Sequence, residues 1–209
     1  MTVSAGISSL LQAHVPPSAQ SYCYLLWNQT PFELKLTKSR HTKIGDFTTR
    51  RSRKYYRITL NHDLNPYLFL ITYVHEVAHL RVFMHYEDKV DPHGEEWKRV
   101  FKNLMVPLLQ ESVFPPKILH LLRAHMANPK ASSFADTALT NALREYDEGA
   151  SSQVLVSSLP EGTVFRLQGK FFKKGKLRRT RILCREMNSR RQYLVPADAL
   201  VSDVQLSLL

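Results

Sequence analysis

His75, Glu76 and His79 stand in the pattern His-Glu-x-x-His inside the stretch Thr72–Leu80. On a helix, residues i and i+4 lie one turn apart on the same face. Two imidazoles so placed can share one Zn2+, with the Glu76 carboxylate beside a water that the ion activates. A catalytic zinc ordinarily takes three protein ligands and keeps a fourth position open, so a third donor is needed. His93, 14 residues beyond His79, is the better candidate, because Gly94 lets the backbone approach closely and a second helical pattern starts just after it. His85 competes, but it follows His79 by only six residues and needs a sharp reversal of the chain to return to the ion. Glu87, Asp88, Glu95 and Glu96 rank below both, since such carboxylates ordinarily face solvent.

The chemistry open to this set is hydrolysis. The ion polarises a peptide carbonyl and acidifies water, and Glu76 takes the proton and hands it to the leaving amine. A donor for the developing oxyanion is also wanted. Arg81, His85 and Tyr86 stand between the ligands, and nothing in the sequence selects one of them.

These residues require elements to hold them. Asn65 and Pro66 have the character of a helix cap and a first helical residue. Tyr67, Phe69, Leu70, Tyr73, Val74, Val77, Ala78 and Leu80 then give the helix a broad apolar face. Its β-branched Ile71, Thr72, Val74 and Val77 lower intrinsic propensity, so packing must hold it together. From Glu95, apolar residues at 97, 100, 101, 104 and 105 predict a second helix with acidic residues in its first turn. Upstream, Phe32–Leu36, Lys43–Phe47 and Tyr55–Leu60 read as strands of a small antiparallel sheet. Such a sheet can offer an edge to an extended peptide, or Arg50, Arg51 and Arg53 can lie over the cleft entrance instead.

Taken together, Phe32–Phe101 resembles the SprT-like family of zinc metalloproteins. The likeness lies in the helix with His75-Glu76-x-x-His79, the spacer, His93-Gly94-x-x-Trp97-Lys98, and Ile58–Asn61 ahead of the motif helix. In that family three histidines bind zinc and the glutamate is the base of a peptidase. The resemblance therefore implies His75, His79 and His93 as ligands of one Zn2+ per chain, and Glu76 as the catalytic residue. It implies an α+β fold with a zincin-like metallopeptidase domain over residues 1–127 and a polypeptide substrate. Some relatives cleave proteins crosslinked to DNA, and many carry a cysteine-rich zinc ribbon behind the catalytic domain. Here Cys184 stands alone, so the expectation is a ribbon without metal or another small barrel.

Beyond the motif, residues 128–160 read as a linker and a bridging helix, and residues 161–206 as a small basic β domain of three or four strands. Lys174-Gly175-Lys176 has the composition of its hairpin turn. With 209 residues, 44% hydrophobic and 22% charged, the chain suits a soluble globular protein. No apolar run of about 18 residues suggests a membrane span, and the N-terminus lacks the pattern of a signal peptide. The expectation is a cytoplasmic monomer. The net charge of +11 is concentrated, with nine basic residues between 35 and 57 against Asp46, and ten between 170 and 191 against Glu186. Such clusters attract polyanions, so both stretches are candidates for non-specific nucleic-acid contact. Phe171, Phe172 and Tyr193 either stack on bases there or pack in a core. Two function classes follow: a zinc-dependent peptidase, with nucleic-acid-associated proteins among its candidate substrates, or a non-catalytic zinc-stabilised nucleic-acid-binding or regulatory protein.

Overall fold

Helix α3, Pro66–Tyr86, runs through the core of the first half of the chain, and twelve of its residues are buried. In the computed structural model, which describes residues 3–40, 43–50, 55–130, 136–147 and 154–205, the chain forms two compact units, Met1–Asp147 and Glu148–Leu209. A helix apolar on most sides belongs inside a domain. The Asn65 side chain starts it by accepting the N–H groups of Tyr67 and Leu68 at 3.2 and 3.0 Å. The same side chain donates to the Leu143 carbonyl at 3.0 Å and to Asp147 at 2.6 Å.

Around α3 lie α1 (Val3–His14), α2 (Gln20–Gln29), α4 (Glu95–Met105), α5 (Pro116–Ala127) and α6 (Thr137–Arg144). Helix α6 belongs to the first unit. Its Leu139, Ala142 and Leu143 are buried in the core of the first unit, and Asp136 caps it by accepting the Leu139 N–H at 3.2 Å. Among the described residues, no helix is long and apolar enough to cross a membrane.

The first unit's sheet contains β1 (Glu33–Thr37), β2 (Gly45–Arg50) and β3 (Tyr55–Asn61) in the order β1-β3-β2. It corrects the antiparallel expectation: β2 pairs antiparallel with β3, but β1 pairs parallel with it. Strand β2 follows β1 in sequence but lies on the other side of β3, so β1 and β3 are not joined as a hairpin and pair parallel. Among the described residues strand β2 has one strand neighbour, β3, and it packs beside α3. The Asn61 N–H donates to the Ile44 carbonyl at 2.9 Å, which fixes Ile44 opposite Asn61 as a hydrogen-bonded pair. By the alternation of an antiparallel ladder, Gly45, Phe47 and Thr49 then direct their backbone groups away from β3.

The second unit is a sheet of six strands, not three or four: β4 (Val154–Leu155), β5 (Val164–Leu167), β6 (Lys170–Arg178), β7 (Arg181–Glu186), β8 (Gln192–Pro196) and β9 (Leu200–Gln205), ordered β4-β9-β5-β6-β7-β8. Val156, Phe165, Phe172, Ile182, Cys184, Val195 and Val201 form most of its core. Lys174-Gly175-Lys176 is not a turn. Strand β6 passes through it with a bulge between Lys174 and Leu177, and the reversal comes at Arg179, where φ is +54°. Glycine is required at the bulge because a Cβ there would lie 2.5 Å from the Leu183 carbonyl oxygen. Cys23 and Cys184 are both buried and free.

Candidate metal centre

The helical period places His75 and His79 on one face of α3, and His93 precedes α4, which packs against α3. Their Nε2 atoms converge: His79 to His75 3.1 Å, His79 to His93 3.1 Å, and His93 to His75 3.3 Å. Mutual hydrogen bonding cannot account for this triangle. Each neutral imidazole nitrogen either carries a proton or offers a lone pair, so two of the three must be alike and face each other unmatched. A shared cation removes the conflict. Tetrahedral zinc with Zn–N bonds of about 2.0–2.1 Å sets its nitrogens about 3.3–3.4 Å apart, close to these separations. Among the described residues these three histidines are the group whose ligand atoms gather closely enough to hold a metal ion.

Helix α4 lays an aromatic wall along the cluster. The Trp97 ring centroid is 4.6 Å from His75, 5.5 Å from His79 and 4.9 Å from His93, and Phe101 stacks on it at 4.8 Å. Trp97 is fully buried, and its Nε1 has no hydrogen-bond partner. The wall restricts rotation of the imidazoles and keeps water from one side of them. Burial, with smaller contributions from His79, His93 and His125, pulls the His75 pKa down to about 2. Burial and then His93 pull His79 down to about 4, and burial lowers His93. At neutral pH all three therefore present lone pairs, as a metal requires.

Glu76 follows His75 by one residue and so points about 100° around the helix. Its carboxylate lies against β2 and accepts the Phe47 backbone N–H. A Cβ on Gly45 would lie 2.5 Å from its Oε1 and 2.6 Å from Thr72 Cγ2, so only glycine admits this approach. Burial, reinforced by Asp46, pushes the Glu76 carboxyl up to about 8, opposed by the Phe47 N–H and by Arg40 and Lys43. A carboxyl in this range can take up and release a proton near neutral pH.

The competing candidates are elsewhere. His85 is exposed, with its Nδ1 2.9 Å from the Arg81 carbonyl oxygen. Arg81 is committed to α2, donating to the Gln29 side chain at 2.8 Å, and Tyr86 accepts from Arg99 at 3.2 Å. Glu95 pairs with Lys98 at 2.9 Å. The side chain of Arg50, and the whole of Arg51 and Arg53, lie outside the described residues. Sequence reasoning passed over Gly45, although an isolated glycine in a strand signals close approach of another group. It placed Trp97 in the motif and on the apolar face of the second helix but not against the imidazoles, because those contacts arise from packing between helices.

A family model, described as the SprT-like family, matches residues 19–120. Residues 19–120 belong to the SprT-like family. The match starts just before α2 and ends within α5, so the SprT-like region contains the three strands β1–β3, the three histidines, Glu76, Gly45 and Trp97. The second unit lies outside it. Comparison with curated proteins and with solved structures yields no match.

Proposed function

We propose that this SprT-like protein is a zinc-dependent peptidase with a zincin-like catalytic domain, in which His75, His79 and His93 hold the ion and Glu76 is the general base. The convergence of three imidazole nitrogens within 3.3 Å of one another carries this reading. When bound, zinc supplies a Lewis acid that acidifies water and polarises a peptide carbonyl. Glu76 accepts the proton of the attacking water and returns it to the leaving amine. Its carboxylate is held for that task by the Phe47 N–H and by the gap at Gly45. The outward backbone groups of Gly45 and Thr49 suit pairing with an extended polypeptide substrate, a mode that accepts many side chains. Trp97 and Phe101 exclude water behind the imidazoles and keep them oriented.

The test is hydrolysis of a denatured protein probe by zinc-loaded wild type and Glu76→Gln, with metal content measured in both. The expected result is unchanged zinc and a rate lowered by about 10²–10⁴. Zinc bound to a wild type that shows no Glu76-dependent cleavage would instead favour a non-catalytic, zinc-stabilised protein.

A further inference from the structure

The second unit is rich in positive charge, and its sheet gathers Lys173, Arg178, Arg181 and Arg185 on one face. From Thr163 to Ala197 the chain carries eleven lysines and arginines and one carboxylate, Glu186. Glu186 is buried, accepting from the Ser189 hydroxyl at 2.6 Å and lying 3.3 Å from Lys170. Phe172, Ile182, Cys184 and Val195 occupy the inner face. On the outer face the strand register builds rows of side chains. Phe171 lies beside Met187, whose N–H donates to the Phe171 carbonyl at 2.8 Å. Next come Lys173, Arg185 and Gln192 abreast, then Leu183 and Leu194, then Arg178, Arg181 and Pro196.

The bulge makes this arrangement possible. Without it, Lys173 and Arg178, which are five residues apart, would point to opposite faces. The extra residue at Gly175 shifts the alternation and puts both on the outside. Apolar and cationic rows therefore alternate, about 6.6 Å from one to the next. Phe171 is 39% exposed, Met187 45% and Leu194 50%, so apolar side chains stand open to solvent among the cations of this face.

We propose that this outer face of β6–β8 binds single-stranded nucleic acid. A polynucleotide combines an anionic backbone with flat apolar bases side by side, which is the pattern of the rows. Arg178, Arg181 and Arg185 present planar guanidinium groups suited to phosphate oxygens. Phe171 offers a ring to an unstacked base, and a duplex keeps its base faces covered. The preference for single strands rests on that ring. The inference concerns residues outside the SprT-like region and stands apart from the hydrolytic reading.

Fluorescence anisotropy of the full-length protein with a labelled thymidylate 15-mer, a uridylate 15-mer and a 15-base-pair duplex tests it. Scattering with phosphatidylserine vesicles provides the membrane arm. At least one single strand is expected to bind more tightly than the duplex. Arg181→Ala/Arg185→Ala is expected to reduce the slope of log affinity against log salt by about 1.4, from about 0.7 per lost phosphate contact. Phe171→Ala is expected to weaken single-strand binding by about 5- to 100-fold with the slope unchanged. Both variants should keep the wild-type melting profile. Duplex binding equal to or tighter than single-strand binding, binding of vesicles alone, or wild-type affinity in both variants would overturn the proposal. So would loss of binding confined to Lys35→Ala/Lys38→Ala in the first unit. No hydrolysis enters the readout, so this proposal and the peptidase reading fail separately.

Discussion

Among the described residues, each unit holds one glutamate with little exposed surface: Glu76 in the first and Glu186 in the second are both 6% exposed. Their pKa values move in opposite directions. Glu76 is raised to about 8, chiefly because burial strips its charge of water and Asp46 adds repulsion. Glu186 is lowered, first by the Ser189 hydroxyl and then with help from Tyr193 and Lys170, which together replace the lost water. Equal exposure therefore does not make equal groups: Glu76 is enclosed deeply enough for the lost water to dominate, whereas the hydrogen bonds around Glu186 outweigh it. Glu186 is a fixed anion that ties a turn and a strand together. Glu76 has the Phe47 N–H as a donor, with Arg40 and Lys43 as the weakest influences on its charge, and it is poised to exchange a proton.

Substituting each glutamate breaks the comparison most sharply. Glu76→Gln is expected to remove about 10²–10⁴ of hydrolytic rate. Glu186→Gln is expected to leave the rate unchanged and to lower the melting temperature, because the second unit loses a satisfied ion. A loss of hydrolysis in both variants would erase the distinction between them. Rate assays paired with thermal melts decide it.

The aromatic residues give the next largest contrast. Trp97 is fully buried against three imidazoles, and Phe171 is 39% exposed. Trp97→Ala is expected to cost about 3–5 kcal/mol of stability and to loosen zinc binding. Phe171→Ala is expected to change stability by less than about 0.5 kcal/mol. Denaturant titrations of zinc-loaded protein measure both.

The two close-packed glycines give a smaller contrast. A Cβ at Gly45 meets the end of the Glu76 side chain, whereas a Cβ at Gly175 meets the Leu183 backbone, each at 2.5 Å. Gly45→Ala is expected to displace the carboxylate and slow hydrolysis by roughly 10- to 100-fold while zinc is retained. Gly175→Ala is expected to destabilise the second unit by about 1–3 kcal/mol and leave hydrolysis intact. Kinetics and melts of the two variants, side by side, check the assignment.

The three-histidine cluster was legible because its spacing is local. A helical period decides that His75 and His79 share a face, and the start of an amphipathic pattern marks where His93 stands. Asn65 was legible as a cap for the same reason, but its bond to Asp147, 82 residues away, belongs to tertiary packing. The parallel pairing of β1 was hidden because nothing in Glu33–Thr37 records that β3 lies between it and β2. Lys174-Gly175-Lys176 misled for a sharper reason. Glycine between lysines carries the same local signal for a turn as for a bulge, and only the length of β7 opposite decides between them. Of the basic stretch from 35 to 57, residues 41, 42 and 51–54 lie outside the described residues.

The central claim is that three particular histidines form one zinc site, and its most direct test is the zinc content of purified wild type, His93→Ala and His85→Ala. The account predicts about one zinc per chain in wild type and in His85→Ala, and almost none in His93→Ala after dialysis against a weak chelator. Zinc retained by His93→Ala, or lost from His85→Ala, would contradict it.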